Sequence, residues 1–219
     1  MNLANYEAII FDCDGVLLNS NKIKSQAFYK SALPFGQKNA EKLLEYHLNN
    51  GGLSRYVKFK FFLLNILGQP KVNEGDLSSL LESYANYAIK GLMFCEIAEG
   101  IDELRIKTKD VGWLVASGGD QKEIRRIFSE RNLDNFFDLG VFGSPDNKLE
   151  ILRRELNKHI KSKRFLFIGD SRYDYEVATD LGMDFIFLYD WSESNEFYKF
   201  CKEKNIPSFN NISSLLDLC

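Results

Sequence analysis

The chain has 219 residues, of which 45% are hydrophobic and 27% charged, so it is long enough to bury a substantial core and has an ordinary globular composition. Its formal net charge of −3 gives no support for a nucleic-acid or membrane-surface partner. The sequence contains neither a signal peptide nor an apolar run near the ~20 residues that span a bilayer, so a cytoplasmic protein is expected. The four cysteines and two histidines are scattered, which argues against a zinc site or a disulfide framework.

The first predicted element is a short apolar strand over 8–11, followed directly by an acidic turn. Such a run is typical of a parallel strand that is buried on both faces. Asp12 and Asp14 would lie on one side of an extended chain, where their repulsion favours a bound cation such as Mg²⁺. Gly15 permits the backbone bend that follows, and Cys13 is interpreted as a buried spacer. A bare Asp-x-Asp pair is also common in solvated turns.

The chain from about residue 20 to residue 97 shows only helical patterning, which predicts a small helical domain. The second and third helices are separated by the breaker 49–52, and Ser54 is a candidate N-cap of the third. The predicted helices cover 22–33, 37–49, 55–66 and 76–92.

Beyond Gly100 strands and helices alternate, which predicts a parallel sheet covered by helices on both faces. The fold class is therefore α/β, a doubly wound parallel sheet with an inserted all-helical domain. The later strands are predicted over 112–116, 139–142, 164–168 and 184–188. Helices are predicted from 121 to 131, 148 to 159, 171 to 181 and 193 to 204.

Small or charged side chains follow the later strands, and the carboxyl ends of parallel strands meet at one edge of a sheet. Singly, each has a structural explanation: a strand-to-helix turn, a solvated lysine, or, for Asp170 and Asp174, acids at the N-cap and first turn of a helix that complement its dipole. Together with the first acidic turn, they provide acids, a hydroxyl and a positive charge suited to phosphate chemistry. These residues are Ser117, Gly118, Gly119, Lys148, Asp170 and Asp174.

The order of these groups resembles the haloacid dehalogenase-like hydrolase superfamily, in its phosphoglycolate phosphatase and β-phosphoglucomutase branch with a helical cap. Residues 11–20 are similar to the first motif, Ser117 and Lys148 to the second and third, and 169–174 to the fourth. Lys148 is followed by Leu149 where many relatives have proline.

The resemblance implies a Rossmann-like core domain made of 1–18 and 98–219, with a cap domain over 19–97. It also implies a small phosphorylated metabolite as the partner molecule. The sequence does not decide between a monomer and a homodimer.

Carried over to this sequence, the resemblance implies that Asp12 is the nucleophile that becomes an aspartyl phosphate and that Asp14 is the general acid/base. The implied Mg²⁺ ligands are the Asp12 carboxylate, the Asp14 backbone carbonyl and Asp170, with support from Asp174. Phosphoryl oxygens would be bound by Ser117, Gly118 and Gly119, and Lys148 would neutralise charge. Phosphoryl transfer needs little beyond such positioning and charge stabilisation.

Substrate specificity is expected in the cap, where the turn over 50–55 could reach the active site. Arg55 is a candidate for binding a polar or anionic substrate group, or equally a surface residue of a first helical turn. Lys58 is a second cationic candidate but is expected to be solvated. The turn resembles those of phosphoglycolate and sugar phosphatases.

The predicted function is a Mg²⁺-dependent phosphatase that hydrolyses a sugar phosphate or a phosphoglycolate-like compound. A phosphosugar mutase of the β-phosphoglucomutase type is an alternative, because it uses the same motifs but returns the phosphoryl group to a sugar. A non-catalytic phospho-acceptor module of the receiver type is a third hypothesis, although such domains lack a cap after the first strand. Asp14 disfavours halide chemistry, since dehalogenases of the superfamily lack that acid.

Overall fold

A parallel sheet forms the centre of the computed structural model, which describes residues 1–159 and 164–219. Its strands are β1 (Ala8–Phe11), β2 (Gly112–Asp120), β3 (Gly140–Ser144), β4 (Phe165–Gly169), β5 (Asp184–Leu188) and β6 (Ser208–Phe209). The six strands lie in the order β3-β2-β1-β4-β5-β6 and pair in parallel throughout. The order reverses at β1, so the α/β doubly wound fold class is confirmed.

Both faces of the sheet are covered, as the apolar strand sequences predict. Along β1, Ile9 and Phe11 belong to one hydrophobic cluster, whereas Ala8 and Ile10 belong to a second. Successive side chains of a strand point to opposite faces, so each cluster covers one face. The reversal at β1 places a crevice beyond the carboxyl ends of β1 and β4, which is where ligands bind in open α/β sheets.

Four of the helices between β1 and β2 form what we call the helical insert, residues 19–97. They are α1 (Asn21–Ala32), α2 (Gln37–Asn49), α3 (Arg55–Phe61) and α4 (Glu74–Phe94). The remaining helices accompany the sheet and are α5 (Ile101–Lys107), α6 (Gln121–Glu130), α7 (Lys148–His159), α8 (Arg172–Asp180) and α9 (Phe197–Lys204). No helix in the described part of the chain is both long and apolar enough to cross a membrane.

The two ends of the helical insert lie side by side. Leu18 forms an antiparallel bridge with Ile97. The Asn19 backbone N–H donates to the Glu96 carbonyl over 3.0 Å, and its side-chain amide donates to the Glu96 carboxylate over 2.8 Å. The chain thus leaves the sheet and returns to it at one place.

Several element bounds differ from the sequence prediction. The third helix of the insert was predicted to run to 66, but α3 ends at Phe61 and a π-helical turn, Phe62–Ile66, follows. The prediction is wrong there because the backbone N–H of Leu67 bonds five residues back, to Phe62, over 2.9 Å. Helix α9 begins at Phe197 rather than at 193, and α5 and β6 were not predicted.

Strand β2 also extends past its predicted end at 116. Its register with β3 shifts between Ala116 and Asp120, so the Ser117–Gly119 segment belongs to an irregular strand end rather than to a turn beyond it. Such irregularities bend a strand and re-aim its side chains, and they are frequent beside active sites.

Candidate active site

A buried lysine joins the acids that follow β1 and β4. Lys148 is the first residue of α7, and its Nζ lies 2.8 Å from Asp12 Oδ2 while donating to Asp174 Oδ1. Lys148 is 1% exposed and Asp174 is fully buried, so a solvated first-turn lysine is excluded. A buried ammonium of this kind requires anionic partners, and it holds the two carboxyl groups together.

Asp170, directly after β4, completes a cluster of three buried carboxyl groups. Oxygen atoms of Asp12, Asp170 and Asp174 lie within 4.8 Å of one another. The Asn21 side-chain amide orients Asp170, donating to its Oδ2 over 2.7 Å and to the Trp191 carbonyl over 2.9 Å. The cluster lies at the reversal of strand order, between β1 and β4.

The cluster carries more negative charge than its single lysine offsets. Burial raises the pKa of Asp12 to about 7, the charges of Asp174 and Asp14 add to this effect, and Lys148 opposes it. Burial and then the neighbouring Asp12 and Asp174 also raise the pKa of Asp170. A buried set of carboxylate oxygens with excess negative charge fits a hard divalent cation such as Mg²⁺.

Asp14 faces a different set of partners. Its Oδ2 lies 2.5 Å from Lys24 Nζ, and the Ser20 hydroxyl donates to its Oδ1 over 2.5 Å. Burial acts to raise the pKa of Asp14, but the ion pair and hydrogen bonds from Lys24 and Ser20 outweigh it, and the pKa lies below its usual value. The side chain of Asp14 therefore lies outside the three-carboxyl cluster.

Asp174 has two structural partners. Ser171 is the N-cap of α8, and its hydroxyl and backbone N–H both donate to Asp174 Oδ2. The other oxygen of Asp174 accepts from Lys148. Sequence reasoning considered Asp170 as an N-cap; that alternative is wrong, since Ser171 caps the helix and leaves Asp170 free to face the cavity.

The end of β2, residues 117–119, lies beside β1 at the same edge of the sheet, on the side away from β4. Ser117 is fully buried, and its hydroxyl oxygen accepts the Gly119 backbone N–H over 3.0 Å. The turn of the helical insert contacts this segment so closely that a Cβ atom at Gly118 would lie 2.3 Å from the Gly52 carbonyl oxygen. The turn thus covers the site, and only glycine fits at Gly118.

Arg55 and Lys58 of the insert are both buried, with exposures of 9% and 2%. Arg55 lies 3.1 Å from Glu123 and 3.7 Å from Asp120, so the surface interpretation of Arg55 is wrong. The prediction that Lys58 is solvated is also wrong, because the Phe28 ring packs 5.2 Å from its ammonium. Phe28, Phe59 and Tyr84, from α1, α3 and α4, contact one another beside Lys58. Helical periodicity does not predict such contacts between helices.

A cavity of about 990 Å³ lies between the sheet edge and the insert. The core contributes Asp12, Asp14 and Asp170 to its lining, and the insert contributes Lys24 and Lys58 among others. Among the lining residues the acids lie outside the insert, and the cations apart from Arg172 lie within it, an arrangement that suits a metal-bound anion.

Sequence reasoning missed Asn21 and Lys24, which hold Asp170 and Asp14. Both residues lie on the first turn of α1, where polar side chains are ordinarily read as solvated helix-terminal residues. The only signal was their position directly after the first acidic turn.

Comparisons with known proteins agree with this geometry. A family model described as haloacid dehalogenase-like hydrolase matches residues 9–188. The chain is 25% identical over 195 residues to a phosphorylated carbohydrates phosphatase of Thermotoga maritima, covering 83% of this chain and 84% of that protein. Its fold is similar to β-phosphoglucomutase from Clostridium difficile, with a TM-score of 0.71, 19% identity, and coverage of 96% and 93%. The fold is also similar to a HAD hydrolase of family IA, variant 3, from Entamoeba histolytica, with a TM-score of 0.71 and 17% identity. This match covers 97% of this chain and 98% of that chain.

Proposed function

The chain belongs to the haloacid dehalogenase-like hydrolase family, and on that premise we propose that it is a Mg²⁺-dependent phosphatase of small phosphorylated metabolites. The observation that carries the proposal is the Lys148 ammonium between Asp12 and Asp174, beside Asp170, with Asp12 and Asp170 lining the cavity. A phosphorylated sugar is the favoured substrate type, because the relative from Thermotoga maritima is described as a phosphatase of phosphorylated carbohydrates.

In the first step, the Asp12 carboxylate attacks phosphorus, and the bond from phosphorus to the ester oxygen breaks. Because Lys24 pairs with Asp14 and the pKa of Asp14 is lowered, Asp14 must take up a proton as the ester binds. It then gives that proton to the departing oxygen, which leaves as the alcohol. In the second step water attacks the aspartyl phosphate, Asp14 takes a proton from that water, and Asp12 and inorganic phosphate are released.

The surrounding residues position these groups. Lys148 neutralises charge on Asp12 and on the phosphoryl oxygens. Since the Ser117 oxygen accepts a hydrogen bond from Gly119, its own hydroxyl proton is left to donate to a phosphoryl oxygen. Asp12, Asp170 and the Asp14 backbone carbonyl would hold Mg²⁺, whose chemistry when bound is to offset the negative charge of the phosphoryl group.

We further propose that the helical insert acts as the cap domain of the enzyme, over 19–97, with 1–18 and 98–219 as the core. Contact of its turn at Gly52 with Gly118 supports a position directly above the phosphoryl group.

The function is tested by measuring phosphate release from a panel of small phosphomonoesters, with Mg²⁺ and with excess chelator. Release that needs Mg²⁺ supports the phosphatase. Isomerisation of a hexose phosphate without net phosphate release would instead support a mutase. A single stable phosphorylation without turnover would support a phospho-acceptor module.

Stabilisation by Mg²⁺ is expected to depend on pH. The pKa of Asp12 is about 7 in the folded chain, against an ordinary value of 3.8, so between these values the folded chain binds the extra proton. In the metal-free protein this contribution to stability is present at low pH and lost as pH rises toward 7. Because Mg²⁺ competes with that proton, its apparent affinity should fall on the order of 100-fold from pH 7 to pH 5.

This prediction is checked by the shift in Tm on adding Mg²⁺ at pH 5 and at pH 8, with NaCl at matched ionic strength as the control. We expect a shift of several degrees at pH 8 and almost none at pH 5. Equal shifts at the two pH values would contradict a metal site that includes Asp12.

A Gly15→Ala variant is expected to lose activity on the order of 100-fold. A Cβ atom at Gly15 would lie 2.2 Å from Asp170 Oδ2 and 2.4 Å from the Asn21 amide, so both side chains must move. Gly182→Ala is the matched control, because Gly182 has a similarly positive φ of 66° but no atom within 4 Å of the place that a Cβ would occupy. Both variants share the backbone strain of about 1–2 kcal/mol, so equal activities would contradict the role given to Asp170.

A further inference from the structure

Three buried cations of the helical insert face the cavity, and two of them are paired with acids. Lys24 forms its ion pair with Asp14, and Arg55 forms its ion pairs with Glu123 and Asp120. Each of these two positive charges is therefore already compensated by a carboxylate of the core.

Lys58 is the third of these buried cations, and no carboxylate forms an ion pair with it in the described residues. It is 2% exposed and lines the cavity, and in the described ranges 1–159 and 164–219 no carboxylate oxygen lies within 4.0 Å of its ammonium. Its hydrogen-bond partner is His47 Nδ1 at 2.7 Å. The face of Phe28 gives it partial compensation at 5.2 Å.

His47 cannot neutralise Lys58. Burial, followed by the charges of Lys58 and Lys24, lowers the pKa of His47 well below its usual value, so the ring is neutral. Nδ1 then accepts from Lys58, and the Nε2–H donates to the Ser25 hydroxyl over 3.0 Å. Ser25 in turn donates to Glu193. This chain of hydrogen bonds fixes Lys58 in place and uses one of its three ammonium protons.

An ammonium that is buried without a counter-ion is costly, and the cost falls when an anion enters beside it. Burial, followed by the charge of Lys24, lowers the pKa of Lys58 to about 7, and the carboxylates of Asp14 and Glu193, which form no ion pair with it, oppose this only in part. Fixed in position and facing the cavity, Lys58 has two donors left for a ligand.

We propose that Lys58 forms a subsite for a second anionic group of the substrate, so that the preferred substrate is a small phosphomonoester carrying a carboxylate or a second phosphate. This inference rests on the proposed phosphatase function. It assigns recognition of that second group to Lys58 rather than to Arg55, whose positive charge is already offset by Glu123 and Asp120.

The test compares matched substrates that differ in the second group. 2-Phosphoglycolate is paired with 2-hydroxyethyl phosphate, and propane-1,3-diol bisphosphate with the corresponding monophosphate. We expect kcat/KM to favour the anionic member of at least one pair by roughly tenfold to a hundredfold, the value of a charge-assisted hydrogen bond. The pair that shows the preference identifies the group as carboxylate or phosphate.

Lys58→Met should reduce that preference to about one, chiefly through KM. The matched control is Lys60→Met on the same helix, since Lys60 is exposed and should leave the preference unchanged. Lys58→Gln keeps a hydrogen-bond donor and should retain part of the preference for the anionic substrate. It replaces Lys58→Met in the test if that variant does not fold. Equal rates for both members of each pair in the natural protein, or an equal loss on both in Lys58→Met, would overturn the inference.

Binding to the Asp12→Asn protein, measured by calorimetry, separates this inference from the proposed function. Tighter binding of 2-phosphoglycolate than of 2-hydroxyethyl phosphate supports the subsite even if no substrate is turned over, and equal binding overturns it. If no phosphomonoester is hydrolysed, in contrast, the proposed phosphatase function is overturned but the Lys58 subsite is not.

Discussion

An Asp12→Asn variant is expected to lose phosphatase turnover by on the order of 10⁴-fold or more. The amide has nearly the shape of the carboxylate, so the residue still fits beside Lys148, but it lacks the nucleophilic oxygen and the negative charge. Phosphoryl transfer through an aspartyl phosphate cannot begin without that oxygen. Phosphate release from the best substrate of the panel measures the loss, and an acid-quenched reaction measures the covalent intermediate, which should vanish with it.

The control for this experiment is Asp180→Asn, which changes an exposed carboxylate at the end of α8 and should leave turnover unchanged. Circular dichroism and Tm show whether Asp12→Asn is folded. A folded Asp12→Asn protein with full activity would contradict the assignment of Asp12 as the nucleophile.

A Lys148→Met variant is expected to lose both activity and stability. The ammonium lies 2.8 Å from Asp12 and also bonds Asp174, so its removal leaves two buried carboxyl groups without their cation. Breaking a buried ion pair in this way costs about 3–5 kcal/mol, which corresponds to roughly 10 °C in Tm for a chain of this size. Turnover should fall together with stability, because in the proposed mechanism the same ammonium offsets charge on the transferred phosphoryl group.

The loss of stability should be smaller at pH 5 than at pH 8. Lys148 holds down the pKa of Asp12, so without it that pKa rises further above 7 and protonation at low pH removes the uncompensated charge. Denaturant unfolding of both proteins at the two pH values measures this difference. Lys158→Met, on the same helix and 55% exposed, is the control, and an equal loss in the two variants would contradict the buried role of Lys148.

Much of the sheet could be predicted because short apolar runs followed by glycine and acids have few other interpretations. Helix α2 was predicted with its observed bounds, Gln37–Asn49, since a proline and a glycine precede it and a pair of glycines follows. Strand β6 could not be predicted from two residues that pair only with β5. The π-helical turn after α3 depends on how its side chains pack in the insert, and periodicity carries no information on this.

The acids of the candidate site were found because they follow strands that a parallel sheet must bring together. The residues that hold them were not found, because their role depends on how the insert is seated above the sheet. Asn21 and Lys24 contact Asp170 and Asp14 only once α1 is oriented toward the sheet edge. The burial of Lys58 likewise follows from packing among α1, α2 and α3, so the sequence rule that lysines are solvated failed there.

The pairing of Asn19 with Glu96 has a consequence for how such a protein can diversify. Because the helical insert departs from the sheet and returns to it through adjacent residues, the helices beyond the first turn of α1 could be lengthened, shortened or exchanged without changing the order of the strands. New binding surfaces could therefore arise above the sheet edge while Asn21 and Lys24 still hold Asp170 and Asp14.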